Sequence, residues 1–317
     1  MIQYLTHGTI NVMFPVLFTI GKIPVSSYGL FLSLSFFFGL FLIWRLARAW
    51  DLNEEKILDL TILSFFGGLL GARIYFVALH FSLFSQHPLS IIIFNRIPGF
   101  SFWGALLGSA ITLYYFSKKQ KIDFWMIADI ASVGFIGGLI LSNLGCFLGG
   151  CSVGIVSKLF LAVNMVGEVG KRFPVQILES FLFAFALRRL WSHSTHFHER
   201  GRILSSALIY IGVIKLLTES LKANHNEGVY FSGVLIILGI YIFYRNSKRN
   251  LTQDLQNFVK YLISLFTSAQ TRKRTLALII KYCYNQKTSI SWGFRNWQVS
   301  LKKNLRRLNV RFSYKNN

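Results

Sequence analysis

Eleven side chains able to grip an anion, move a proton or orient such groups fall within or beside strongly apolar stretches of this chain. Arg73 is set in Gly71-Ala72-Arg73-Ile74-Tyr75-Phe76-Val77, and Asp129, Asn143, Arg172, Gln176, Glu179, Lys215 and Glu219 follow at comparable depth. Tyr28, Tyr75 and Trp103 add hydrogen-bonding aromatic rings. An ionisable group in hydrocarbon costs roughly several kcal/mol unless it faces a partner or a wet cavity. So many of them predict a polar site built between helices. A guanidinium suits a phosphate, which it holds through two parallel hydrogen bonds. An ion pair of Arg73 with Asp129 or Glu179 is an equal alternative. Pro174 fits a first helical turn, which leaves Gln176 and Glu179 three apart on one face. The run Ser142-Asn143-Leu144-Gly145-Cys146-Phe147-Leu148-Gly149-Gly150-Cys151 predicts a glycine-rich helix end that folds back and exposes backbone amides to an anion.

The elements that must carry these residues are membrane helices. The chain has 317 residues, is 53% hydrophobic and 16% aromatic, and holds five prolines, a balance that excludes an ordinary soluble enzyme. Seven apolar runs reach spanning length: Ser27–Leu46, Leu58–His80, Phe100–Phe116, Phe124–Leu144, Pro174–Leu190, Ile203–Leu221 and Val229–Tyr244. The expected fold is an all-α polytopic membrane protein of about seven spans. Residues 9–25 are apolar but broken by Gly21, Lys22 and Pro24, and read as an interfacial or re-entrant lead-in. No basic cluster and small-residue cleavage site mark a removable signal peptide. Basic residues follow alternate spans: Arg45 and Arg48, then Lys118, Lys119 and Lys121, then Arg188, Arg189, Arg200 and Arg202, then Arg245, Lys248 and Arg249. That alternation predicts an outside N-terminus and a cytoplasmic C-terminus. Gly154–Lys171 is expected to form a small outer cap between spans four and five.

Two domains are expected, a transmembrane body over 1–245 and a basic, amphipathic cytoplasmic tail over 246–317. The tail holds fifteen of the 34 Lys and Arg residues against one acid, Asp254. Its interleaved apolar residues predict short amphipathic helices drawn to anionic membrane lipid. Nucleic acid is the rival partner, on Arg272-Lys273-Arg274, Arg306-Arg307, Trp292, Trp297 and Phe312, but no nucleic-acid motif accompanies them. Cys146, Cys151 and Cys283 make no disulfide framework. The spacing of Cys146 and Cys151 suits packing in a tight glycine turn, with pairing in an oxidising outer space as the alternative. His193, His196 and His198 read as a solvated loop. Neither a metal nor a cofactor is expected.

In order, the segments resemble the prolipoprotein diacylglyceryl transferases of the bacterial cytoplasmic membrane, over about Met13 to Phe243. The likeness rests on Tyr28-Gly29-Leu30, Gly-Ala-Arg-Ile-Tyr, Ser101-Phe102-Trp103-Gly104-Ala105-Leu106-Leu107-Gly108 and Ala128-Asp129-Ile130-Ala131. It continues through Leu-Gly-Cys-Phe-Leu-Gly-Gly-Cys, Arg172-Phe173-Pro174-Val175-Gln176-Ile177-Leu178-Glu179 and Lys215-Leu216-Leu217-Thr218-Glu219-Ser220-Leu221-Lys222. The resemblance implies transfer of the diacylglyceryl group of phosphatidylglycerol to the lipobox cysteine thiol of a preprolipoprotein signal segment, releasing glycerol phosphate. It places Arg73, Arg172 and Lys215 near the headgroup as catalytic cations, with Glu219 among them. Gln176 and Glu179 orient these groups, and Tyr28 and Tyr75 donate to phosphate or glycerol. Trp103, Asp129 and Asn143 complete the expected substrate-binding set.

The chain departs from the family pattern inside that set. Trp103 stands where the family has His or Tyr, and an indole cannot take a proton from a thiol. Asn143 stands for an arginine, and Lys215 and Lys222 for two more. Leu178 replaces the tyrosine before Glu179. Two readings follow. One is a working transferase; the other is a non-catalytic or altered-specificity homologue that binds lipid or lipoprotein signal segments in the same cavity. A transporter is disfavoured, since no internal hydropathy repeat or pair of broken helices is found.

Overall fold

The computed structural model describes residues 13–21, 23–85, 88–91, 99–159, 161–165, 168–196, 198–223, 228–247 and 249–278, with scattered residues from 280 to 299. Lys22, Cys283, Trp297, Arg306, Arg307 and Phe312 lie outside the described residues. Two units separate, residues 1–248 and 249–317.

The first unit opens with a hairpin of β1 (Val16–Ile20) and β2 (Ile23–Ser26). Residues 9–25 had the apolarity of a lead-in, and from position 16 they pair as strands instead. Their β-branched Val16, Thr19, Ile20, Ile23 and Val25 favour the pleat, and Gly21 turns the chain at φ 62°. Helices follow: α1 (Ser27–Ala49), α2 (Glu54–Leu79), α3 (Phe81–Ser85), α4 (Phe102–Lys119) and α5 (Phe124–Gly149). After a short pair, β3 (Val163–Asn164) with β4 (Lys171–Arg172), come α6 (Val175–Ser194), α7 (Arg202–Glu219) and α8 (Gly228–Ser247).

Local chemistry sets the helix starts. Ser26, Asn53, Ser101 and Asp123 cap α1, α2, α4 and α5 by accepting from amides of the first turn. The helix α5 is the hub, with Ile127, Ile130, Val133 and Ile136 buried against neighbours on several sides. The outer faces are the reverse of a soluble protein. Phe37, Leu70, Ile74 and Phe181 are 63–71% exposed, and apolar faces of this extent need a partner or a lipid solvent. Four helices, α1, α2, α5 and α8, are long and apolar enough to cross a membrane. This is an integral membrane protein.

Small residues bring backbones together. A Cβ added at Gly71 would stand 2.5 Å from the Gly104 carbonyl oxygen, and one at Gly104 would stand 2.5 Å from that of Gly71. Gly108 meets Gly67 in the same way, at 2.4 Å. Thus α2 and α4 cross through two Gly-x-x-x-Gly faces, Gly67/Gly71 and Gly104/Gly108, a contact that only hydrogen side chains allow.

The second unit begins with α9 (Leu251–Thr267), and residues 269–278 are helical again. None of α9's residues is buried. Leu251, Leu255, Phe258, Val259, Leu262, Ile263 and Phe266 recur at three- and four-residue intervals and are all exposed, forming one apolar stripe.

Candidate functional site

Most of the expected polar residues gather at one end of the bundle. Lys215 on α7 donates to Glu179 on α6 at 2.6 Å, and Thr218, one turn on, donates to the other carboxylate oxygen at 2.8 Å. Lys222 lies 3.4 Å from Glu179 and donates to Glu219 at 2.7 Å. Two lysines and two glutamates thus form one buried network. Burial alone would push the Lys222 ammonium down, but Glu179 and Glu219 more than offset this and hold its pKa above the ordinary lysine value. Glu219 also meets the first turn of α8, because a Cβ at Gly228 would fall 2.5 Å from its carboxylate.

Aromatic rings wall the network. The Lys215 ammonium lies 5.3 Å from the Phe102 ring and 5.8 Å from Phe183. Trp103 stacks on Phe231 of α8 at 4.9 Å between centroids, and Tyr75 meets the same ring edge-on at 6.1 Å. Tyr75, Trp103, Glu179, Lys215 and Glu219 are therefore brought together, with Phe231 as the link that hydropathy did not single out.

A glycine turn forms the neighbouring side. The helix α5 ends at Gly150 in the left-handed region, φ 70°. The amide of Gly150 bonds the carbonyl of Phe147, and that of Cys151 bonds Cys146 at 3.0 Å. Tyr28 packs on this turn: a Cβ at Gly149 would come 3.0 Å from its own. Cys146 lies within the electrostatic reach of Lys215 and Glu179, which joins the turn to the ion network. Asn143 is buried there and donates back to the Leu139 carbonyl at 2.8 Å.

The segment after the turn crosses the ends of α6 and α7. Gly154 pairs with Lys222, Val156 with Arg172, and Ala223 donates to Val153 at 2.9 Å. Gln176 reaches Ser152, donating to its carbonyl at 2.6 Å and its hydroxyl at 2.9 Å. Arg172 pairs with Glu168 at 2.7 Å and reaches the Gly154 carbonyl at 3.4 Å. The Arg172 Nε and the Gln176 Oε1 are buried with no hydrogen-bond partner among the described residues.

Two expected members stand elsewhere. Arg73 is buried on α2 and donates to the carbonyls of Ser90 at 2.5 Å and of Ile91 and Gly99 at 3.0 Å each. These bonds tie α2 to described residues on either side of the segment 92–98. Asp129 sits near the start of α5, about 21 Å along the helix axis from Asn143. Its oxygens accept from the amides of Gly201 and Leu204 at 2.7 Å each, and His198 lies 3.8 Å away. This carboxylate caps α7 at the opposite end of the bundle from the cluster. Asp129 and the cluster residues share apolar helices, so burial depth in sequence could not tell one end from the other. Thr218, Ser152 and Cys146 were not in the expected set. Thr218 alone carried a signal, lying one helical turn after Lys215 on the same face. Among the described residues no group of three metal-ligating side chains converges.

The model of one protein family, prolipoprotein diacylglyceryl transferase, matches residues 15–245. A phosphatidylglycerol–prolipoprotein diacylglyceryl transferase of Clostridium tetani is 29% identical over 248 residues, covering 73% of this chain and 97% of the relative. Its counterpart in Lactococcus lactis subsp. cremoris is 28% identical over 246 residues, covering 73% of this chain and 94% of the relative. One from Trichormus variabilis is 32% identical over 133 residues, 42% of this chain and 47% of the relative.

Proposed function

The chain belongs to the prolipoprotein diacylglyceryl transferase family, and from that premise we propose that its Lys215–Glu179 cavity moves the diacylglyceryl group of phosphatidylglycerol onto the lipobox cysteine thiol of a preprolipoprotein. It is a membrane transferase of lipoprotein biosynthesis. One observation carries the assignment of the site: a buried cluster of ammonium and carboxylate groups under aromatic walls. Such a place offers charge to a phosphate headgroup and an apolar surface to acyl chains side by side.

In the step, the acceptor sulfur attacks the terminal glyceryl carbon of the diacylglycerol unit. A carbon–sulfur bond forms, the carbon–oxygen bond to phosphate breaks, and glycerol phosphate leaves with the electron pair. The thiol proton departs to the leaving group or to water. Lys215 and Lys222 stabilise the charge gathering on the departing phosphate, while Glu179 and Glu219 hold both ammonium groups in place. The unpaired Nε of Arg172 and Oε1 of Gln176 offer a donor and an acceptor to the headgroup, and Tyr28 and Tyr75 offer hydroxyls. Arg73 acts by holding the wall of the cavity, and Asp129 by fixing α7. Trp103 packs in the aromatic wall, and Asn143 fills the space beside the turn.

The seven helices α1, α2 and α4–α8 are read as spans, with the N-terminus outside and the C-terminus in the cytoplasm of a bacterial cell. Basic residues at the ends of α1, α4, α6 and α8 support this orientation. It puts Gly154–Lys171 at the outer end of the bundle, as a small cap between spans four and five. The body up to residue 245 carries the transferase, and the tail lies on anionic lipid, as its charge and the stripe on α9 favour.

Expression in a bacterial strain depleted of its own transferase tests the reading, with lipoprotein mobility as the readout and Lys215→Met as control. Lipidation by the parent chain that the control loses supports it. Membrane-inserted protein that lipidates neither its own signal segments nor those of the host would favour the homologue that binds without transferring.

A further inference from the structure

The end of α5 places two thiols together by backbone geometry alone. The bonds from Cys151 to the Cys146 carbonyl and from Gly150 to the Phe147 carbonyl, with Gly150 at φ 70°, are those of a Schellman turn. In such a turn the side chains at the two ends of the outer bond meet across it. Here those side chains are Cys146 and Cys151. Both are free thiols, Cys151 exposed and Cys146 half-buried. A disulfide needs α-carbons within about 4.4–6.8 Å and converging β-carbons, an approach to which a Schellman turn joining Cys151 to the Cys146 carbonyl points.

We infer that Cys146 and Cys151 are a dithiol–disulfide pair at the edge of the site, opened to exchange with an external disulfide. Cys151, as thiolate, attacks one sulfur of the external disulfide and releases its partner as a thiolate. Cys146 then loses its proton and attacks the Cys151 sulfur, closing the internal bond and releasing the second external thiol. One external disulfide is reduced and one internal disulfide is formed. The order follows from access, because Cys151 faces the surface. The hydrogen bond from Cys146 holds the Cys151 pKa below the ordinary thiol value, against the upward push of burial, and so enriches the attacking thiolate.

The pair adjoins Tyr28, and Cys146 lies in the field of Lys215 and Glu179. Oxidation therefore replaces two ionisable thiols beside the catalytic network with a neutral crosslink, and stiffens the turn on which Tyr28 rests. The pairing chemistry does not depend on the transferase reading, but its setting at an active site does.

The test uses the full chain carrying Cys283→Ser, reconstituted in lipid and equilibrated with oxidised or reduced glutathione. After acid quenching and denaturation, the free thiols are counted with a maleimide-polyethylene glycol. Two adducts after reduction and none after oxidation, with no glutathione retained, is the expected result. In the added variant Cys146→Ser, Cys151 should retain one glutathione after oxidation. Two free thiols after oxidation, or wild type that retains glutathione on both sulfurs, would overturn the pairing. Transfer to a lipobox peptide, assayed on the same samples, reads the second half. Pairing with a changed rate supports a redox-sensitive site. Pairing with an unchanged rate in an active enzyme removes the link to catalysis, and pairing in an enzyme with no transfer in either state sinks the transferase reading instead.

Discussion

Lys215 joins every part of the cluster: it bonds Glu179, faces Phe102 and Phe183, and lies in electrostatic reach of Cys146. On the proposed role of Lys215, removing its charge from a leaving phosphate costs roughly 3 kcal/mol of transition-state stabilisation. Lys215→Met should therefore slow transfer to a lipobox peptide in proteoliposomes by roughly 100- to 1,000-fold. Lys215→Arg keeps the charge and should recover most of that rate. Equal rates for the two variants would show that Lys215 only fills space. Asp129 makes a contrasting case. An asparagine there can accept from one of the amides of Gly201 and Leu204 but leaves the other unpaired, which costs about 1–3 kcal/mol. Asp129→Asn should lower the thermal midpoint in detergent while leaving the rate per folded enzyme near that of the parent. A lost rate with an unchanged midpoint would return Asp129 to the substrate.

Among the elements, the α2–α4 pair depends most on single atoms. Gly104→Val would drive a side chain into the Gly71 carbonyl and the Tyr75 side chain, both 2.5 Å from the added Cβ. The helices must separate, so the variant should unfold at lower temperature and be cut more readily by protease between α3 and α4. Intact packing by both measures would refute the close crossing. The apolar runs of the sequence located all seven long helices among the described residues of the first unit, because a length of hydrocarbon-compatible residues is a one-dimensional signal. The hairpin of β1 and β2 was not legible, since Val, Ile and Thr serve a strand and a lipid-facing lead-in equally well. Nor was the division of labour among the charges. Arg73 and Lys215 have the same setting in sequence, yet one holds loop carbonyls and the other faces a carboxylate. That difference lies in which helix ends meet, and no residue spacing records it. The Cys146–Cys151 turn was legible as a glycine turn, though not that its backbone brings both thiols together.

For the whole molecule, the uneven reach of the relatives is informative. The Clostridium tetani relative is covered over 97% of its length by 73% of this chain, and the family model matches only as far as residue 245. A chain ending at Lys248 should therefore retain transfer in neutral-lipid nanodiscs containing a fixed fraction of phosphatidylglycerol. In the full chain, amides of α9 should exchange more slowly with deuterium on anionic than on neutral nanodiscs, and high salt should reduce the difference. Equal exchange on both lipids would rule out the charge-driven contact. Loss of transfer on truncation would instead make the tail part of the enzyme.

The carboxylates that bond α7 from α5 and α6 have one more consequence. Asp129 pins this helix at Gly201 and Leu204, and Glu179 pins it again at Lys215 and Thr218. Lys215 stands eleven helical rises beyond Leu204, a fixed rod of about 16 Å. The position of the Lys215 ammonium is thus indexed from the opposite end of the bundle, as a shelf peg is set by its distance from the floor. One residue inserted between the pins would advance Lys215 by about 1.5 Å and swing it about 100° around the axis, so that only one pin could remain engaged. A whole turn added there would restore the bearing but not the height. The place of Lys215 in the cluster is in this sense a measured length of helix, and its gauge mark is the Asp129 carboxylate at the other end.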